Sequence, residues 1–123
     1  MSDFRKLEVW QKAHALVLVI NDLTDCIRKA KYTSLKSQMI RCAMSIDANI
    51  VEGSGQRSDL KFAQFLETAV NSANELEAHL IMTKDFNLFT EEKYTNTVSL
   101  LVQVRKMLHG LINKLRGVQK RSN

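Results

Sequence analysis

The chain has 123 residues, 45% hydrophobic and 25% charged, with a net charge of +5, no proline, four glycines and two cysteines. That is the composition of one ordinary globular domain with one core, and it excludes a disulfide framework, a C-x-x-C metal site and a loop-rich or mostly β fold. The longest apolar run, Ala15 to Ile20, is far short of the ~20 residues a membrane helix needs, and the first residues lack a signal peptide's apolar core, so a cytoplasmic protein with no membrane partner is expected.

The first helix is predicted over about residues 7–28. Trp10, Ala13, Val17, Ile20 and Ile27 recur at three- and four-residue steps, with Thr24 filling the gap. This is the spacing of a stripe facing a bundle core. Ala15, Leu16, Leu18 and Val19 are apolar too, more than one stripe holds, so this helix is either central or meets another subunit with its second face. The second helix is predicted over 34–53, with Ser34 as N-cap and Gly53 as the C′ residue that stops it. Its core stripe is Met39, Ala43, Ile46 and Ile50. Beside it lie Gln38, Cys42, Ser45, Asn49 and Glu52, small or polar and on one side of the helix.

The third helix is predicted over 59–86, with Ser58 as N-cap and Asp59 suiting the positive helix start. Phe62, Leu66, Ala69, Ala73, Leu76, Leu80 and Thr83 alternate steps of four and three, and Phe65, Thr68, Ser72, Glu75 and His79 run alongside. The fourth is predicted over 90–117, with a seam of Leu101, Val104, Leu108, Leu111, Leu115 and Val118, and a basic tail over 118–123. Connections of about three to six residues favour antiparallel neighbours. The expected fold is all-α: one domain, 1–123, forming an antiparallel up-down-up-down four-helix bundle.

Charge is segregated along the chain. Residues 1–46 carry a net +4, residues 47–92 a net −6, and residues 93–123 carry seven basic and no acidic side chains. Arg105, His109, Asn113, Arg116 and Lys120 line one face of the last helix, flanked by Lys106, Lys114 and Arg121. A helix dipole accounts for basic residues in the last turn only. The candidate nucleic-acid-binding residues are Arg105, Lys106, Lys114, Arg116, Lys120 and Arg121. The same face suits an acidic protein surface, or solvent alone.

Asn49 and Glu52 interrupt an apolar pattern, and burying them costs several kcal/mol unless both find partners. Ser45, Asn49, Glu52, Arg57, Ser72 and Glu75 read as a structural polar network that fixes register. No nucleophile, base and orienting group can be assembled from them, so no catalytic residue is assigned and no enzyme is expected. Glu75 and His79 share a face, but the Glu-x-x-His of di-iron bundles is absent. His14 and His109 have no ligand-spaced neighbours, whereas zinc needs three or four converging ligands. No metal and no cofactor are expected, and Cys26 and Cys42 read as partly buried thiols.

Taken in order, Leu7-Glu8-Val9-Trp10-Gln11, Gln38 to Ala43, Ser45-Ile46, Asn49-Ile50, Glu52-Gly53, Arg57-Ser58, Phe65-Leu66, Ala69, Ser72 and Glu75-Leu76 resemble the 23S rRNA intervening-sequence protein family, over nearly the whole chain. The resemblance implies an antiparallel four-helix bundle that tends to form a ring-like homopentamer, often encoded in insertions within bacterial 23S rRNA genes and of largely unknown biochemical role. A related branch resembles the accessory protein of diversity-generating retroelements, a basic pentamer that engages a reverse transcriptase and nucleic acid. The Asn-Ile-x-Glu-Gly string places this chain with the intervening-sequence branch, while its basic tail leaves the retroelement-like role open. Gln56 before Arg57 and Asn71 before Ser72 depart from the family's pattern without touching the fold. The function expected is a non-enzymatic homo-oligomer that binds RNA or DNA through the last helix. The alternative is a protein–protein scaffold, for instance for a reverse transcriptase-type partner.

Overall fold

The structure, a computed structural model, describes the backbone of residues 3–122 and the side chains of residues 3–117. Four helices follow one another: α1 Glu8–Asp25, α2 Thr33–Ser54, α3 Asp59–Asp85 and α4 Glu91–Ser122, with short 3-10 turns at Phe4–Lys6 and Ala30–Tyr32. Among the described residues there is no strand, and no helix is long and apolar enough to cross a membrane. Cross-helix pairs give the directions. Cys42 meets Glu75 while Ser45 meets Ser72, so α2 and α3 are antiparallel. Arg105 meets Glu77 while Arg116 meets Glu67, so α3 and α4 are antiparallel as well. α1 closes the bundle against both α2 and α4.

The helix ends have local causes. Ser58 caps α3 through its hydroxyl, which accepts from Lys61 N–H at 3.3 Å, and Thr90 does the same for Lys93 at the start of α4 at 3.2 Å. At the far end of α3, Asn87 takes φ 56°, the left-handed region that Asn tolerates better than most residues. Asn87 N–H then reaches Lys84 O and Leu88 N–H reaches Thr83 O, each at 3.0 Å, the paired closure of a Schellman motif. Other ends differ from the sequence reading. α1 stops at Asp25, where Cys26 N–H turns back to Leu23 O. α2 begins at Thr33 out of a 3-10 turn, with no capping side chain at Tyr32. Gly53 lies inside α2 rather than beyond it, and no glycine has a positive φ.

The core takes four residues or more from every helix. Met39, Ala43, Ile46 and Ile50 of α2, and Leu66, Ala69, Ala73, Leu76 and Leu80 of α3, are fully buried. Each large aliphatic among them contributes about 1.5–3 kcal/mol on burial. In α1 the inward stripe is Val9, Ala13, Leu16, Ile20 and Leu23, with Trp10 and Val17 at its edge. Leu16, which spacing alone assigns to the second face, is therefore central. In α4 Leu101, Val104, Leu108 and Ile112 are buried, with Leu111 and Leu115 half-buried beside them. The stripe steps from Leu108 by four rather than three. Val118 lies outside the described side chains.

Candidate functional site

Three polar clusters stand out from the apolar bundle. The first runs along the α2–α3 seam. The Ser45 and Ser72 hydroxyls are 2.8 Å apart. Asn49 Nδ2 donates to Ser45 O at 2.8 Å and to Ser45 Oγ at 3.2 Å. One turn away, Cys42 Sγ donates to Glu75 Oε2 at 3.1 Å, and His79 Nε2 lies 3.7 Å from the same oxygen. Both ring nitrogens of His79 are buried with no hydrogen-bond partner among the described residues. Of the six residues expected in a polar network, Ser45, Asn49, Ser72 and Glu75 therefore line one seam. Glu52 and Arg57 are exposed and stand apart from it. Glu52 lies exposed in the last turn of α2.

Burial, reinforced by the hydrogen bond to Glu75 and by that carboxylate's charge, pushes the Cys42 thiol up from 9.0 to about 12. The sign of the linkage follows. Below pH 9 the thiol is protonated in both folded and unfolded chains and contributes no pH dependence. Between pH 9 and 12 only the unfolded chain ionises, so stability falls as pH rises, by up to about 1.4 kcal/mol per pH unit for this one group. The advantage of wild type over Cys42→Ser is therefore expected to shrink across that window. Urea denaturation of both proteins at matched pH values checks it, because lysine and tyrosine titrations cancel in the difference.

The second cluster joins α1 to α2. Trp10 Nε1 donates to Asp47 Oδ1 at 2.8 Å, His14 Nδ1 lies 3.0 Å from Asp47 Oδ2, and the two rings stack with centroids 4.8 Å apart. One carboxylate thus anchors two side chains a helical turn apart. Val17, Met44 and Ala48 make an apolar surface beside it, with Met44 55% exposed; Leu18 of α1 is exposed to the same degree.

The third cluster is the α3–α4 flank, where the basic residues sit. Arg105 Nη1 donates to Glu77 Oε1 at 2.7 Å and to Asn74 Oδ1 at 3.0 Å. Arg116 pairs with Glu67, on a groove of about 330 Å³ that His109, Asn113 and Asn71 also line. Two candidate arginines are thus matched by α3 acids. Lys106 and Lys114 are exposed and have no ion pair among the described residues. The side chains of Lys120 and Arg121 lie outside the described residues. The acids of 47–92 and the bases of 93–123 therefore partly neutralise one another within the chain, which the opposite charges of the two segments foreshadow.

The comparisons with known proteins bear on the chain as a whole. The sequence profile of a family described as 23S rRNA-intervening sequence protein matches residues 5–110. A crystal structure of a protein of unknown function from the S23 ribosomal protein family of Bacteroides thetaiotaomicron VPI-5482 is similar in fold, with a TM-score of 0.79 and 27% sequence identity. The match covers 85% of this chain and 97% of that one. No curated protein matches the sequence.

Proposed function

This chain belongs to the 23S rRNA-intervening sequence protein family, and from that premise we propose that it is a non-enzymatic homo-oligomer that binds nucleic acid through the solvent face of α4. One observation carries the reading. From Lys93 onward the chain has no acidic residue, and Lys106 and Lys114 stand exposed on α4 while Arg105 and Arg116 are held by α3. A surface of that kind attracts phosphates by counterion release and reads little sequence.

A homo-oligomer, in this reading a ring-like pentamer, repeats the face and adds its phosphate interactions along one strand. The apolar α1–α2 surface around Val17 and Met44, together with exposed Leu18 on α1, supports association between copies, since large apolar side chains facing solvent gain by being covered. Light scattering that gives a monomer at micromolar concentration removes the oligomer from the proposal.

Titration of a fluorescent single-stranded RNA across a salt series tests the binding. The Lys106→Glu/Lys114→Glu variant is expected to bind at least about tenfold more weakly at low salt. Its log–log salt slope should be shallower by roughly 0.7 for each phosphate that the variant no longer neutralises. Wild type that fails to bind at low salt, or a double variant that binds equally well, overturns the proposal. The same apolar α1–α2 surface favours a second reading, a protein–protein adaptor. In that case partners captured from a lysate persist after nuclease treatment.

A further inference from the structure

We propose that Cys42, Glu75 and His79 form a binding site for a divalent cation of the zinc class, in which three protein ligands from two helices leave one coordination position to water. The ligand atoms of the three side chains all lie within 4.8 Å of one another. In a tetrahedral zinc site with bond lengths of about 2.0–2.3 Å, neighbouring ligand atoms of such a set are about 3.3–3.6 Å apart. Two of the three edges bracket that distance: Cys42 Sγ to Glu75 Oε2 is 3.1 Å, and Glu75 Oε2 to His79 Nε2 is 3.7 Å. The third edge, between Cys42 and His79, lies within 4.8 Å, so a side-chain movement on the order of 1 Å brings all three onto one ion with zinc's bond lengths.

The donor set selects the ion. A thiolate, an imidazole and one carboxylate suit zinc and exclude magnesium or calcium, which take oxygen ligands. His79 supplies a second observation. Its imidazole is only 17% exposed, yet neither ring nitrogen has a hydrogen-bond partner among the described residues. Buried polar atoms without partners are uncommon in native folds, and an ion is one of the few things that explains them. The imidazole is set on the turn of α3 after Glu75, so the two ligands project from one face, and α2 delivers the cysteine opposite them. Glu75 is 57% exposed, so the site opens to solvent on its carboxylate side, where an ion enters and a water completes the shell. The bound ion would tie the middle of α2 to two successive turns of α3. The site shares no residue with the α4 face, so either proposal can fail without the other.

Calorimetric titration of the full chain, stripped of metal and kept reduced, with zinc chloride tests the site. One ion per chain is expected. Cobalt as a substitute should add a thiolate charge-transfer band in the near ultraviolet. Cys42→Ser and His79→Gln should each weaken binding at least about 100-fold, more than the loss of an outer-shell partner does, while Cys26→Ser should bind as wild type. Circular dichroism of the metal-free variants checks that they fold. Glu75→Gln, at a largely exposed position, should weaken binding at least about tenfold and carries the test if a buried variant does not fold. Absence of a bound ion, binding that survives both Cys42→Ser and His79→Gln, or binding abolished by Cys26→Ser overturns the proposal.

Discussion

Gly53→Val is expected to destabilise the fold by on the order of 3 kcal/mol, the upper part of the range for overpacking a well-filled contact. A Cβ at Gly53 would sit 2.8 Å from Phe62 Cδ1 and 2.9 Å from Phe65 Cβ. The Phe62 ring can swing aside, but Phe65 Cβ is fixed to the backbone of α3, so the helix itself has to move. Gly53→Ala sharpens the argument, because alanine is favoured over glycine in a helix by about 0.8–1.0 kcal/mol. Overpacking of about 1–3 kcal/mol opposes that gain, and the net is expected to be a loss. At Gly110, within α4, a Cβ would meet nothing within 4 Å, so Gly110→Ala is expected to raise stability by about 1 kcal/mol. One substitution with opposite signs at two helical glycines separates close approach from propensity. Urea unfolding at fixed protein concentration reads both, and Gly53→Ala as stable as wild type would remove close approach as the reason for the glycine.

Gly53 also shows where sequence reasoning reaches its limit. A glycine near the end of an apolar pattern can end a helix or let a second helix come close. Spacing along one stretch of sequence does not choose, because the choice depends on Phe62 and Phe65 of the next helix. The α3 core stripe is legible for the opposite reason: Phe62, Leu66, Ala69, Ala73, Leu76, Leu80 and Thr83 each have a polar residue on at least one side, and all seven are buried. In α1 the run from Leu16 to Val19 carries no polar residue to mark an edge, so spacing alone centres the stripe on Val17, whereas Leu16 holds the middle. The end of α1 at Asp25 has no glycine or proline signal; there Cys26 N–H and Ile27 N–H turn back to Leu23 O and Thr24 O, each at 3.0 Å.

The polar seam is legible in halves. The stripes Gln38–Cys42–Ser45–Asn49 and Ser72–Glu75–His79 are each visible in the sequence. Mating them antiparallel puts Ser45 on Ser72 and Cys42 on Glu75, as the structure does. Glu75 and His79 by themselves make no metal site. The third donor comes from α2, and only the register between helices supplies it. The pairing of Arg105 and Arg116 with Glu77 and Glu67 is of the same kind: the charge asymmetry between segments is plain in the sequence, but which charges cancel depends on how α4 lies against α3.

Leu76→Ala is expected to cost about 2–5 kcal/mol, an effect comparable with that of Gly53→Val. Leu76 is fully buried and follows Glu75 in α3, so its removal leaves a cavity directly beneath the polar seam. A close-packed bundle collapses into such a space only partly, and the cost is the lost transfer energy plus the unfilled volume. At on the order of 4 °C per kcal/mol for a domain of this length, the melting temperature should fall by about 8–20 °C. Leu76→Met keeps the volume and should cost less than about 1.5 kcal/mol. Thermal melts of the two variants at one protein concentration separate loss of volume from loss of leucine's shape, since association between copies would otherwise shift the midpoint. Were Leu76→Ala to melt within about 2 °C of wild type, the α2–α3 seam would not be the rigid contact that holds Cys42 against Glu75, and the register on which both the polar network and the cation site depend would have to be redrawn.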